Sequence, residues 1–405
     1  MTRTRATLLR IHRWAGLFIA GFLVVAGLTG SLLAFLPELE AALNPHHRVA
    51  EPPGAVFDPL AVREAVLQRL PEARIDQLPL HRDAGRALHL WIELPGASHG
   101  GAPMTTALVL DPYSGAELSR RTTELWPLGR HNLMAFVYRL HYSLALGDFG
   151  LWLFGAAALV WTLDAFVGLA LTLPPLTRPR PATAEAPRRR SWMARWRPAW
   201  RLKWQASTFR RLFDLHRATG LWTWLVMLAF AWSAVYFNLG DAVYRPVMRA
   251  VFGDVPGVPP SGPQADVADR APMPWPAALA HGRRLMAEQA AAHGMAIRRE
   301  QMLSRDEDAA EFRYAVLSDR DVSERWGATA IRFDAVDGRL LALELPTGEH
   351  AGTTLTSWIV ALHTAAFWGL AMQIFVCAMG LAVSLMSLGG VYVWWRKRRA
   401  RHTRR

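Results

Sequence analysis

The stretch RIHRWAGL at positions 10–17 and the stretch DLHRATGL at positions 214–221 share a His-Arg pair, then a Gly-Leu, and each opens a long apolar run. Trp14 to Leu36 and Thr219 to Leu239 carry no charge; two further runs are Leu151 to Leu173, with Asp164 as its sole charge, and Thr364 to Trp395, with none. About 20 helical residues cross a hydrocarbon core of roughly 30 Å, so the pattern predicts four spans. Composition agrees: 52% of the 405 residues are apolar, 18 are Trp, and mean hydropathy is positive, more than a water-soluble core requires. The predicted order is a tail (1–13), a first span (14–36), an outer segment (37–140), a second span (141–173), a basic loop (174–215), a third span (216–240), a second outer segment (241–355), a fourth span (356–395) and a tail (396–405).

The net charge of +13 is distributed unevenly. The two tails and the central loop up to Arg217 hold half of the 46 Lys and Arg residues, against only two acids, Glu185 and Asp214. Basic excess confined to alternate loops is the positive-inside signature, which places both termini and the Arg-rich loop in the cytoplasm and the two long segments outside. The same distribution argues against a nucleic-acid partner. The loop reads instead as a topology determinant lying on anionic lipid head groups, with Trp192, Trp196, Trp200 and Trp204 at interface depth. The first apolar run is too long for a signal-peptide core, and GSLLAFLPELE offers no A-x-A site, so it reads as a retained anchor. Cys377 is alone and lies in the fourth run, which excludes a disulfide between the outer segments.

The His-Arg match extends into a repeat. Setting His12 on His216 also superposes Arg13 on Arg217 and Gly16 on Gly220; ALVLDPYSGAEL from Ala107 matches AIRFDAVDGRLL from Ala330, with Asp111 on Asp334 and Gly115 on Gly338. RLHYSLALG then matches ALHTAAFWG, which pairs His141 with His363, Gly147 with Gly369 and Gly168 with Gly390. The chain reads as a tandem duplication of span, outer domain, span, giving a four-helix transmembrane bundle. Each outer segment shows a helical apolar period (DPLAVREAVLQRL; WPAALAHGRRLMAEQAAAH) followed by strand-like runs (ALHLWIEL and TALVLDP; EFRYAVL and TAIRFDA) closed by Y-S-G or V-D-G turns. A helix laid on a small antiparallel sheet is expected in each. VPGVPPSGPQADVADRAPMPWP reads as a linker between the third span and the second domain.

Of the 14 histidines, most fall in the outer segments as ordinary surface residues (His46, His47, His81, His89, His99, His281, His293, His350), and His402 lies in the tail. His12 and His216 open odd-numbered spans on the cytoplasmic side; His141 and His363 precede even-numbered spans on the outer side. Ionisable groups at membrane depth mark sites, and two neutral imidazoles from two helices are what a six-coordinate haem iron takes as axial ligands. Counting 100° per residue from His12, Gly16, Gly27 and Gly30 lie on the same helix face, with Gly220, Ala231 and Ala234 as their counterparts, room for a planar macrocycle. Two plainer readings stay open: imidazoles that bond a carbonyl or a lipid phosphate at the interface, and small residues that serve helix packing. His131 is a weaker candidate for the second site, because the other half has no equivalent. Asp164, with Met386 in its place in the second half, is expected to bond an interhelical Ser, Thr or Trp.

With IHRWAGL and LHRATGL opening spans, LHYSLALG as a second His motif and helix-plus-strands outer segments, nearly the whole chain resembles the PepSY-associated transmembrane family. The resemblance implies two α+β PepSY-like periplasmic domains on a bacterial inner-membrane protein of the iron-regulated, dihaem ferric-siderophore reductase type. It further implies two b-type haems, held by His12 with His216 and by His141 with His363, and transmembrane electron transfer to a periplasmic ferric-siderophore. The second half departs from the pattern, since ALHTAAFWGL lacks the second Gly of LHYSLALGDFGLW. No G-x-G-x-x-G opens a βαβ unit, so the electron donor is expected to be external, a quinol or a cytoplasmic reductase. The alternative is a haemless membrane scaffold whose PepSY-like domains bind a periplasmic protein. A transporter is disfavoured because the sequence marks no broken helix and only one buried charge.

Overall fold

The computed structural model describes residues 3–99, 102–122, 129–175, 191–255 and 271–402. The middle of the Arg-rich loop (176–190) and most of the Pro-rich linker (256–270) lie outside the described residues. In chain order the helices are α1 (Arg3–Leu33), α2 (Leu36–Leu43), α3 (Pro59–Arg69), α4 (Leu133–Ser143), α5 (Gly147–Thr172), α6 (Trp192–Trp196), α7 (Thr208–Trp222), α8 (Trp224–Asn238), α9 (Arg245–Phe252), α10 (Trp275–His293), α11 (Ala351–His363) and α12 (Gly369–His402). The strands are β1 (Gln77–Pro79), β2 (Leu88–His99), β3 (Ala102–Leu110), β4 (Glu117–Thr122), β5 (Ile297–Asp306), β6 (Glu311–Ser318), β7 (Thr329–Asp334) and β8 (Leu340–Glu344).

Among the described residues α1, α5 and α12 are each long and apolar enough to cross a membrane, and α7 with α8 makes a fourth span if the pair is taken as one. The chain is a multi-pass membrane protein whose apolar helices present side chains such as Trp152, Phe166, Leu225 and Leu385 to lipid. The segment 216–240 is not one straight helix: α7 and α8 meet at Thr223 with a 72° bend. The absence of a broken helix therefore no longer counts against a transporter. Thr223 turns its hydroxyl to the Thr219 carbonyl at 2.7 Å, and Trp224 Nε1 donates to the Ala165 carbonyl at 2.9 Å, so the bend is held from α5.

The segments 141–173 and 356–395 are likewise each two helices. α4 ends just past His141 and α11 ends at His363, and both chains then turn through left-handed residues, Leu144, Ala145 and Gly147 in the first case and Ala365, Trp368 and Gly369 in the second. At Gly150 an added Cβ would run into the Ser143 carbonyl, so α5 packs its first turn on the end of α4. The position 222 residues on is Met372, which cannot approach so closely, and there the connection is longer, 364–368 against 144–146. The spacing from histidine to the first residue of the next helix is six in both halves, and the longer turn after His363 comes from α11 ending at the histidine itself.

α1 and α12 make the closest crossing. Gly27 and Gly380 face one another so tightly that a Cβ on either would strike the carbonyl of the other. Without a hydrophobic drive between helices in lipid, such small-residue contacts and interhelical hydrogen bonds hold the pair. Here Ser31 Oγ donates to the Cys377 carbonyl at 3.0 Å, and Gln373 Nε2 donates to Ala34 O and Glu38 Oε1, both at 3.0 Å.

Outside the spans lie two sheets. β2-β3-β4 is antiparallel and packs Leu88, Leu90, Ile92, Leu108 and Leu110 against Val62 and Val66 of α3, whose N-terminus is capped by Asp58. The second sheet has the order β1-β5-β6-β7-β8 and buries Leu303, Phe312, Ile331 and Phe333 against Met286 of α10. Matching Asx turns close the two halves: Asp111 Oδ1 accepts from Tyr113 N and Ser114 N before Gly115 (φ +67°), and Asp334 Oδ1 from Val336 N and Asp337 N before Gly338 (φ +76°). β1 belongs by sequence to the first outer segment yet pairs with β5 of the second, Leu78 opposite Leu303, with Arg74 bridging to Glu307 at 3.2 Å. The two outer segments are therefore joined by a shared sheet.

Two histidine pairs with matched hydrogen-bond partners

His12 on α1 and His216 on α7 face each other with ring centres 6.2 Å apart and planes at 58°. His141 at the end of α4 and His363 at the end of α11 do the same at 6.0 Å and 77°. Thr29 of α1 touches His141, so the two pairs are separated by 17 residues of α1, about 25 Å at 1.5 Å per residue. That is close to the thickness of the hydrocarbon core, roughly 30 Å. His131 is not part of either pair; it sits in a short 3₁₀ turn where Asn132 Nδ2 donates to its Nε2 at 3.2 Å.

The hydrogen bonds assign the ring protons. His216 Nδ1 donates to the Met386 carbonyl at 3.0 Å, and His12 Nδ1 donates to both oxygens of Asp164, at 3.0 and 2.9 Å. Thr29 spends its hydroxyl proton on the Val25 carbonyl at 2.6 Å, so its oxygen accepts from His141 Nδ1 at 2.9 Å. Ser233 gives its proton to Phe230 O at 3.0 Å and accepts from His363 Nδ1 at 2.6 Å. In all four rings Nδ1 is therefore the nitrogen that the protein engages, and with the proton on Nδ1 the lone pair is left on Nε2. A metal-bound imidazole is held in this way by a partner on its other nitrogen.

Asp164 thus bonds a histidine of the site, where an interhelical Ser, Thr or Trp was expected. Thr29 and Ser233 are the partners that the sequence reading missed, although the 204-residue offset that sets His12 on His216 also sets Thr29 on Ser233. The glycines divide their work. A Cβ on Gly168 would lie 3.5 Å from His12, on Gly390 3.3 Å from His216 and on Gly30 3.0 Å from His141, so these three seat the rings. Gly16 faces open space, whereas Gly27 serves the α1–α12 crossing rather than a cofactor.

The inner pair opens into a cavity of about 970 Å³ lined by His12, His216, Asp164, Gly16, Gly168, Gly220 and Gly390, with Trp161 and Trp224 on its walls and Arg5, Arg13 and Lys397 among its cations. This is at the upper end of cofactor pockets, about 300–1,000 Å³. His363 of the outer pair packs edge-on against Phe230 and Phe237, with ring centres at 5.5 and 5.3 Å.

Whether the residues fit a haem is tested by the spacing. Metal-to-imidazole bonds are about 2 Å, which puts each ring centre about 3 Å from the metal and two opposed rings about 6 Å apart; the observed 6.2 and 6.0 Å match. No group of three or more His, Cys, Asp or Glu among the described residues has metal-holding geometry. Two imidazoles alone would leave a metal short of donors, and a planar macrocycle is one group that could supply the rest. Ser233→Ala removes one Nδ1 acceptor, and loss of such a partner costs about 10–100-fold in affinity; titration of the apoprotein with haem checks this, and an unchanged affinity would refute the role given to Ser233.

Elsewhere, His46 and His47 lie edge to face at 4.3 Å beside His89, and His47 is lowered to about 4 by burial, then by neighbouring His46 and Arg121. These belong to the first outer segment.

No curated protein matches the chain. The model described as the PepSY-associated TM region matches residues 9–397, a range that takes in all four paired histidines and both outer segments. On that match the chain belongs to the PepSY-associated transmembrane family.

Proposed function

We propose that the chain is a transmembrane electron carrier, a tandem duplication whose four spans form a bundle in the bacterial inner membrane, with both termini cytoplasmic and two PepSY-like domains in the periplasm. His12 with His216, and His141 with His363, would each hold one haem b. When bound, such a group supplies a reversible one-electron couple with no open coordination position, suited to electron transfer rather than to oxygen binding. The observation that supports the reading is the pairing of four imidazoles two by two, with ring centres 6.2 and 6.0 Å apart and Nδ1 of every ring engaged by the protein.

The side chains do the rest. Asp164, Met386 O, Thr29 and Ser233 hold each ring in one tautomer and one orientation, so no reorganisation is needed when the charge at the site changes. Gly30, Gly168 and Gly390 let the rings lie against backbone, and Phe230 and Phe237 keep water from the outer pair. Arg5, Arg13 and Lys397 place positive charge at the inner cavity, where carboxylate substituents of a porphyrin would be met.

The acceptor that the family resemblance favours is a periplasmic ferric siderophore. One electron converts its Fe(III) to Fe(II), which hard oxygen donors hold less tightly. A quinol as donor releases two electrons and two protons and so serves two ferric ions; a cytoplasmic reductase is the other donor class.

The purified protein is expected to be red, with a Soret band and reduced bands of bis-histidine haem b at two haems per chain. A colourless preparation from haem-replete cells would overturn the proposal in favour of a scaffold that binds a periplasmic protein.

A further inference from the structure

The two halves of the chain treat their histidines alike except at one position. The offset that pairs Gly147 with Gly369 and Gly168 with Gly390 sets Asp164 on Met386. Both positions supply the Nδ1 acceptor of an inner histidine, yet one supplies a carboxylate from its side chain and the other a carbonyl from its backbone. The outer pair has two neutral hydroxyls, Thr29 and Ser233. Of the four rings, His12 alone bonds an anion.

Asp164 is buried within α5, its side chain 7% exposed, and both of its oxygens lie on His12 Nδ1. A buried carboxylate in a span is costly unless it serves a site. A carboxylate that draws the Nδ1 proton toward itself makes the imidazole a stronger donor at Nε2, and its own charge sits one ring away from the metal position; both effects favour the ferric over the ferrous state. The cations of the same cavity act in the opposite sense, and two of them have protein partners of their own. Arg217 is paired with Asp214 at 2.8 Å, and Arg5 donates to Leu171 O and Leu173 O at 2.7 and 3.2 Å.

Building on the haem reading above, we propose that Asp164 is a positioning and tuning residue that holds the His12/His216 site at a lower reduction potential than the His141/His363 site, so that electrons run downhill from the cytoplasmic face to the outer face. The repeat relates the two imidazoles within each site, His12 to His216 and His141 to His363, and leaves the two sites free to differ; the carboxylate at position 164 is the charged difference between them.

The test is a redox titration of the purified holoprotein followed by haem absorbance. The wild type is expected to titrate in two one-electron steps. Asp164→Asn keeps an acceptor for Nδ1–H but removes the charge; it is expected to raise the lower midpoint by at least tenfold in the one-electron equilibrium, about 59 mV, leaving the upper one in place. The His363→Ala background, which retains only the inner site, assigns the moving step. Asp164→Glu should restore the low value. Midpoints that do not move in Asp164→Asn with both haems bound would overturn the inference, as would loss of the inner haem in that variant, which would make the aspartate a structural prop. A wild-type protein that binds no haem sinks the parent reading instead, and is told apart by its spectrum before any titration.

Discussion

On the haem reading proposed above, replacing His363 by alanine is expected to remove about half of the haem absorbance per chain and to reduce electron delivery to an outer ferric chelate to background. The loss is confined to one site because the pairs are about 25 Å apart along α1 and share no hydrogen-bond partner: His141 and His363 rely on Thr29 and Ser233, His12 and His216 on Asp164 and Met386. The variant would keep one of the two imidazoles on which the proposed outer site relies. His141→Ala should behave in the same way. His131→Ala should leave both haems, because the His131 ring is engaged by Asn132 and faces no other histidine of the two pairs. Absorbance of the reduced protein, normalised to protein mass, decides the matter. Equal loss in His131→Ala and His363→Ala would contradict the pairing.

Arg332→Leu is expected to destabilise the second outer sheet by about 3–5 kcal/mol, the range for removing one partner of a buried ion pair. Arg332 lies on β7, between β6 and β8, 4% exposed, with Glu311 at 3.1 Å and Glu344 at 3.4 Å. Its removal leaves Glu311, itself 7% exposed, without a countercharge. Amide exchange of β6 and β7 in the full-length protein should quicken by at least about a hundredfold, since 1.4 kcal/mol is a factor of ten. Arg313→Ala should change little, for that residue meets Glu344 at the solvent edge, where a pair is worth about 0–1 kcal/mol. Comparable exchange rates in the two variants would refute the distinction.

The positions of the histidines, the order of span and outer segment, and the helix-plus-strand composition of the outer segments could be read from residue types alone, because each is a repeated local pattern. Four features could not. Met386 acts through its carbonyl, so no residue-type argument reaches it. Gly27 and Gly16 share one face of α1 and look alike in the sequence, but one meets a helix and the other meets a cavity; only the neighbour tells them apart. The 72° bend falls within LWTW, which has no proline or glycine, and it is held by Trp224 against α5, a contact distant in sequence. β5, with the sequence IRREQMLSRD, lacks the alternation of a half-buried strand because neighbours on both sides, β1 and β6, fix it through backbone pairing.

That last arrangement bears on how the protein is made. A strand edge left bare invites pairing with other chains, and β5 would have such an edge if the second half stood alone. Its cover, Gln77–Pro79, is synthesised more than two hundred residues earlier. On the topology proposed above, the cover has already been exported when β5 emerges from the membrane, so the stretch Met302–Ser304 of its edge finds a partner at once. The reverse order would have left it waiting.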